Sequence, residues 1–582
     1  MSEPAPSDIR LARKLLPYLR KEWRLYLLAV VAAPGAALLT IAQPYLLKLA
    51  IDDHITAGDV AGVRNVALLY LGAIMLSFLL EVTYSLAVAY AAMGSITRLR
   101  LAVYDHTLAL KSSFFDREPT GRLLTRATSD VEALGETLTA GAFTIVLDAM
   151  LVVGILAAML SMDPGLTGVL LLVAPPLAVT IELIRRVMRR LFLAVRTHLA
   201  ALNAYLAERL AGIKVVQLYS DEQRSIEGFR ERNNRYRNTT IKTNVWDGLL
   251  YAIVDGLSSM TMALMLWYSV GDWFETAMTA GLLAAFIDYV GKLFRPIREF
   301  SQKLATLQRA SSALQKIFGL LDTQELITEG DKELGAAPSA VRIRDLRFGY
   351  ASDNTVLNGI DLDISSGEVV ALVGRTGSGK TTIGKLLTRT YDGYEGTIEV
   401  DGIELSDLRA SSVRRAIGTV QQDVTLFEGD VRFNLSLGAE IPDDALWKAI
   451  RTVQAEHAVD ALGGLDGQIE SNGRNLSVGE GQLLSFARTM AHDPPMVILD
   501  EATASVDTLT EAALQTATEA ILERKTVLVI AHRLSTITRA DRIVVLDAGA
   551  VAEVGSHDEL MARRGAYYRL FRHQFAEAAH NP

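Results

Sequence analysis

The 582-residue sequence contains no cysteine. A disulfide-stapled scaffold, a zinc–thiolate centre and a cysteine nucleophile are therefore excluded. Charge is scarce as well: 21% of the residues are Asp, Glu, Lys or Arg, half are hydrophobic, and the mean hydropathy is +0.23. That balance excludes a disordered or fibrous chain and argues against a wholly soluble enzyme. A basic footprint for nucleic acid is also missing. Net charge is −9, with 37 Lys and Arg against 33 Asp and Glu in residues 1–350 and 21 against 34 in the remainder. No nucleic-acid partner is expected from this. The length implies two or more domains.

What is present in the first half is apolar. Residues 1–24 lack the short apolar core and small-residue cleavage site of a signal peptide. Asp8–Trp23 instead places Arg10, Arg13, Lys14, Arg20 and Lys21 among Ile9, Leu11, Leu15, Leu16 and Leu19. This pattern predicts a basic amphipathic helix on the inner membrane surface. Six apolar segments follow, near Leu25–Leu47, Val66–Ala92, Phe143–Leu160, Leu166–Leu183, Leu249–Val270 and Ala277–Leu293. Each is about as long as a helix needs to cross the hydrocarbon. Pro34, Pro44, Pro175 and Pro176 interrupt some of them, which is tolerable where neighbouring helices satisfy the freed backbone groups.

The loops alternate in charge. Ile51–Gly62, Ser161–Gly165 and Gly271–Thr276 hold no Lys or Arg, whereas Arg98–Gly141 and Leu183–Asp247 are rich in both. The positive-inside bias then places both termini and both long loops in the cytosol. Leu199–Leu218 and Gln223–Thr243 keep helical apolar spacing, so the long loops should be helices projecting below the bilayer. Their tips, Ser113-Phe114-Phe115-Asp116 and Tyr219-Ser220-Asp221-Glu222, are short polar-aromatic turns suited to docking on another domain. Asp148, Asp255 and Asp288 fall inside or near the spans. Such acids are expected either to line a cavity that favours cations or to pair with neighbours such as Lys292 and Arg295.

The composition shifts after Leu321. Residues 322–340 read as a polar linker, and 341–582 as an α/β domain with strand-like runs at Glu368–Val373, Val497–Asp500, Thr526–Ile530 and Ile543–Leu546. Gly374-Arg375-Thr376-Gly377-Ser378-Gly379-Lys380-Thr381 fits G-x-x-x-x-G-K-[ST] between a strand and a helix that continues through Thr382. Its backbone N–H groups can wrap phosphates, Lys380 can neutralise the outer ones, and the Thr381 hydroxyl can ligate Mg²⁺. Met496-Val497-Ile498-Leu499-Asp500-Glu501 delivers Asp500 to the metal shell and Glu501 toward an attacking water. Between them, Leu476-Ser477-Val478-Gly479-Glu480-Gly481-Gln482 is a turn that opens a helix.

The order of these motifs resembles an ABC transporter of the exporter type, a half-transporter with membrane and nucleotide domains fused. The resemblance implies an all-α six-helix membrane domain over 25–321, with long cytosolic extensions and an amphipathic elbow over 1–24. A P-loop ABC ATPase domain follows over 341–582. It further implies that Tyr350 stacks on adenine, that Gln422 touches Mg²⁺, and that Ser477 and Gly479 close over the partner domain's nucleotide. Ala504-Ser505-Val506-Asp507 would join the two sites, and His532 would contact the γ-phosphate. ATP and Mg²⁺ are the implied cofactors, and a second half-transporter in membrane lipid is the implied partner. The cargo would be a drug, lipid or peptide, exported across the cytoplasmic membrane. An ATP-gated channel or regulatory membrane protein on the same fold is the alternative, and intact Lys380, Asp500, Glu501 and His532 favour turnover. Val478 and Glu480 depart from the usual L-S-G-G-Q, as in chains of heterodimeric multidrug exporters, so a heterodimer is favoured over a homodimer.

Overall fold

The computed structural model describes residues 8–270, 279–327, 329–335, 340–351, 354–500, 508–531 and 534–574. The chain divides into two compact units, Met1–Leu108 with Gly121–Thr323, and Ala109–Thr120 with Gln324–Pro582.

The first unit is helical. It contains α1 (Asp8–Leu19), α2 (Trp23–Leu49) and α3 (Val60–Leu108), followed after the excursion of Ala109–Thr120 by a run ending in α5 (Ala142–Met162). Then come α6 (Pro164–Ala211), α7 (Glu222–Val270) and α8 (Ala280–Leu321). Five helical runs among the described residues are long and apolar enough to cross a membrane: Arg13–Ile55, Val60–Leu108, Thr120–Met162, Pro164–Ala211 and Glu222–Tyr268. The sixth expected span lies in α8, where Asp288, Lys292 and Arg295 dilute the apolar run. It nevertheless packs with the others, since Phe286, Tyr289 and Val290 are buried against Ile155, Met159 and Leu166. The 48 and 49 residues of α6 and α7 give rods of about 70 Å, more than twice the hydrocarbon thickness.

One proline inside these helices, Pro44, is compensated from a neighbouring helix. Pro44 has no N–H to donate to the Thr40 carbonyl four residues earlier. Lys292 Nζ on α8 lies 3.3 Å from that carbonyl oxygen, and Tyr289 Oη donates to the next one, Ile41 O, at 2.7 Å. Helix α1 buries Leu11 and Leu15 and ion-pairs Lys14 with Asp322. Arg98 on α3 fixes its end, bonding Glu22 and the Tyr18 carbonyl.

The second unit is built on a six-stranded sheet ordered β12-β11-β3-β10-β9-β6. Its strands are β3 (Val369–Gly374), β6 (Ile417–Val420), β9 (Met496–Asp500), β10 (Thr526–Ile530), β11 (Arg542–Asp547) and β12 (Ala550–Gly555). All pairs are parallel except β11 with β12. Both faces are buried, as parallel sheets require. Val370, Leu372, Ile498, Leu528 and Ile530 fill one core, while Val369, Ala371, Leu499, Val527 and Val529 fill the other. A four-stranded antiparallel sheet of β1 (Val341–Ala351), β2 (Asn354–Ile364), β4 (Glu395–Val400) and β5 (Ile403–Glu404) covers the first core. The short pair β7 (Gly429–Asp430) and β8 (Gln468–Ile469) borders a helical lobe with its own core of Leu435, Ile450, Leu484 and Leu514.

The stretch expected as a linker is fastened to this unit over its described residues. Lys332 bridges to Leu408 and ion-pairs with Asp407, and Glu329 accepts from Ala410 N.

Candidate functional site

Register brings the site together. Ile530 of β10 lies level with Leu372 of β3 on one side and with Asp500 of β9 on the other, and Val420 of β6 is level with Leu499. The P-loop, Asp500 and Gln422 therefore all emerge at the carboxyl ends of neighbouring parallel strands, where ligands of open α/β sheets bind.

The loop after β3 needs its glycines. Gly379 has φ +100°, and a Cβ there would sit 2.4 Å from Leu357 Cδ2; Gly377 has φ +83° in open space. Both angles are strained for residues with a side chain. Helix α9 (Lys380–Leu387) starts directly afterwards, so its amino-terminal N–H groups point toward the loop. Lys380 is buried, and its Nζ donates to the carbonyls of Gly374 at 2.7 Å and Arg375 at 3.0 Å. Burial pushes its ammonium pKa down, and the Asp500 carboxylate partly opposes that. Ser378 Oγ is buried inside the loop with no hydrogen-bond partner among the described residues. An orphaned hydroxyl, helix-start N–H groups and a lysine gathered in one loop are the donor set of a phosphate cradle. Thr381 and Gln422 are exposed and Asp500 is half-buried. Hydroxyl, amide and carboxylate oxygens are the hard donors that suit Mg²⁺.

Tyr350 stands near the end of β1 and is 47% exposed. Its edge contacts are Phe348 at 5.2 Å and Tyr391 at 5.1 Å between centroids, and its hydroxyl lies 3.0 Å from Thr382 Oγ1. Lys385 Nζ lies over the Tyr350 ring, 5.7 Å from its centroid; a half-exposed aromatic ring can stack a base.

The signature turn gives one of the two departures noted in the sequence, Glu480, a structural role. Ser477 caps α10 (Val478–His492). Its Oγ accepts from Glu480 N at 3.2 Å, while the Glu480 carboxylate accepts from Ser477 N at 2.8 Å. This reciprocal capping box takes Glu or Gln alike at its fourth residue, so Glu480 serves the helix start. Val478 is 67% exposed, at a position with no need for glycine, and Gly479 is buried. Glu501, Ala504-Ser505-Val506-Asp507 and His532 lie outside the described residues.

Sequence reasoning missed one contact network. The docking turn expected at Ser113–Asp116 is the helix α4 (Ser112–Arg117), which belongs to the second unit. Phe114 is buried, Lys111 meets Asp392 at 2.8 Å, and Asp116 accepts a hydrogen bond from Tyr391 Oη. Tyr391 thus touches both α4 and the Tyr350 ring. The signal available was the Tyr391-Asp392-Gly393 turn closely following the P-loop helix. The other expected docking turn lies in the first unit, with Tyr219 81% exposed.

The three acids expected inside or near the spans are engaged. Asp288 pairs with Lys292 at 3.1 Å. Asp148 pairs with Lys303 at 2.5 Å, and Lys303 also meets Glu299 at 3.0 Å. Asp255 likewise has an interaction partner.

Comparison with known proteins agrees with this arrangement. Residues 26–297 match the ABC transporter transmembrane region, and residues 357–504 match the ABC transporter domain. The chain is 31% identical over 570 residues to the uncharacterized ABC transporter ATP-binding protein YfiC of Bacillus subtilis (strain 168), covering 97% of this chain and 94% of that one. It is 32% identical to the ATP-dependent lipid A-core flippase of Thiobacillus denitrificans, covering 98% of this chain and 100% of the relative. A bacterial Atm1-family ABC exporter solved with ATP bound has a TM-score of 0.75 and 26% identity over 95% of this chain and 98% of its own. With membrane helices and nucleotide-binding domain joined on one polypeptide, this chain belongs to the ABC transporters as an exporter-type half-transporter.

Proposed function

We propose that two such half-transporters, with ATP and Mg²⁺ at their shared seam, export an amphipathic substrate across the cytoplasmic membrane with both termini in the cytosol. The observation that carries this reading is the convergence of Lys380, Asp500 and Gln422 on one sheet edge, on the same chain as membrane-length helices. Flippase and exporter relatives of near-full-length similarity support an amphipathic cargo, lipid included.

In this reading the P-loop amides of Arg375–Gly379 and the Lys380 ammonium hold the phosphates, and Tyr350 stacks on the adenine. Thr381, Gln422 and Asp500 would hold Mg²⁺, which when bound neutralises phosphate charge. Glu501 orients the attacking water and takes its proton, and His532 contacts the γ-phosphate. Ser477 and Gly479 close over the nucleotide of the other half, so dimerisation is part of the mechanism. Closure and hydrolysis shift the population between inward- and outward-open states. A heterodimer is the reading suggested by the altered signature. The intact capping box removes Glu480 from the grounds for a degenerate site and leaves Val478.

Glu501→Gln should bind ATP and stop turnover, and Lys380→Ala should lose nucleotide binding. Near-normal hydrolysis in either variant overturns the assigned roles. Substrate accumulation in inside-out vesicles, strictly dependent on ATP, tests export. Copurification of a second, different chain distinguishes heterodimer from homodimer.

A further inference from the structure

The first unit contains a cavity of about 820 Å³ between α6, α7 and α8. That is within the size range of small-molecule sites. One wall carries Arg185, Arg189 and Arg196, spaced four and seven residues apart and therefore on one face of α6. Arg309 of α8 adds a fourth guanidinium, and Asp247 is the one carboxylate of the lining. The rest of the surface is mostly apolar, from Met188, Phe192, Leu193 and Leu250.

The four arginines are not equally committed. Arg185 pairs with Glu182 at 2.7 Å, and Arg309 lies 3.7 Å from Glu136. Arg189 and Arg196 form no ion pair among the described residues. Depth fits a ligand with two characters. Counting from Pro164, Arg185 is about 30 Å along α6, the thickness of the hydrocarbon, and Arg196 is about 50 Å along. The cavity thus begins where the inner membrane surface is expected and continues beyond it. Guanidinium forks favour phosphate and carboxylate over cations, and the apolar wall favours a hydrophobic tail.

We infer that this cavity binds anionic amphiphiles, with Arg189 and Arg196 holding a phosphate or carboxylate group and Phe192 and Leu193 receiving the apolar tail. The inference rests on the exporter reading above and gives its cargo a charge. It replaces a cation-favouring cavity, since Asp148 and Asp288 are held by lysines.

The test uses the full chain in phosphatidylcholine nanodiscs without nucleotide, so its outcome is independent of ATP turnover. Dodecyl phosphate, dodecyltrimethylammonium and inorganic phosphate are titrated separately by calorimetry. Dodecyl phosphate should bind at least tenfold tighter than either of the others. Arg189→Ala with Arg196→Ala should weaken it at least tenfold, Arg189→Lys with Arg196→Lys should recover part of the loss, and Arg190→Ala, outside the lining, should not. Monodisperse elution and an unshifted thermal midpoint establish that the variants are folded. Repeating the titration with phosphatidylglycerol in the disc separates the sources. Loss of dodecyl phosphate binding assigns the site to a bilayer headgroup, and retention assigns it to a soluble anionic amphiphile; both support the anion site. Equal binding of the ammonium compound, or full affinity in folded Arg189→Ala/Arg196→Ala, overturns it.

Discussion

Replacing Glu480 separates two accounts of the unusual signature. If the carboxylate faced the nucleotide, it would repel phosphate, and Glu480→Gln would raise activity. The structure instead turns it back onto Ser477 N at 2.8 Å, with Ser477 Oγ accepting from Glu480 N at 3.2 Å. Glutamine keeps an oxygen acceptor in that place and loses only the interaction of the negative charge with the helix amino terminus, about 0.5 kcal/mol. The expected change is therefore roughly twofold in kcat/KM for ATP hydrolysis. Glu480→Ala removes both the acceptor and the charge, at a cost of about 1 to 2 kcal/mol, so the ordered start of α10 should lose about five- to thirtyfold in population. ATPase rates of the full chain in nanodiscs, with hydrogen exchange of the amides at the start of α10, read both effects. A tenfold or greater activation by Glu480→Gln would show that the charge acts on the phosphate. Unchanged exchange in Glu480→Ala would show that the box does not hold the turn. Either result refutes the reasoning.

Two further perturbations address the same unit. Tyr391→Phe keeps the ring against Tyr350 and Phe348 but removes the bond to Asp116, about 1 kcal/mol for a partly exposed contact. Basal hydrolysis should persist while substrate-stimulated hydrolysis falls about fivefold, and Asp116→Asn should weaken the same response; stimulation unchanged in both variants rules out a coupling role. Gly379→Ala meets Leu357 Cδ2 at 2.4 Å and carries the left-handed backbone penalty of about 1 to 2 kcal/mol, whereas Gly377→Ala carries only the latter. Binding of a fluorescent ATP analogue should therefore suffer more at Gly379, and the reverse order contradicts the steric account.

How much of this was legible in the sequence depended on the reach of each interaction. The backbone of the P-loop was readable, because strand, glycine positions and helix start are consecutive and their geometry is local. Four of the six strands of the larger sheet were readable from short Val/Ile/Leu runs, although strand order was not, since β3 pairs with β10 and β11 far along the chain. Spans were found by length and hydropathy, and the weakest lay where Asp288, Lys292 and Arg295 share a helix. The segment after Leu321 read as a linker on composition, yet polar residues such as Glu329 and Lys332 are also what fastens it to Asp407 and Ala410. The Tyr391–Asp116 bond could not be read at all, because it joins residues 275 apart.

Charge within the membrane unit shows the same limit with a functional consequence. From sequence, an acid in a span invites a cationic ligand, because burying an unpaired carboxylate is costly. The fold supplies lysines instead: Lys292 meets Asp288 while donating to the carbonyl freed by Pro44, and Lys303 sits between Asp148 and Glu299. The arginines of α6 had counted only toward orientation, as part of the positive-inside bias. Their shared helical face, and the lack of an ion pair at Arg189 and Arg196 among the described residues, give them a second property. Under the anion-site inference, the polarity of the cargo follows from which charges the fold leaves unpaired around a cavity. A count of the ionisable residues inside the spans gives the opposite sign.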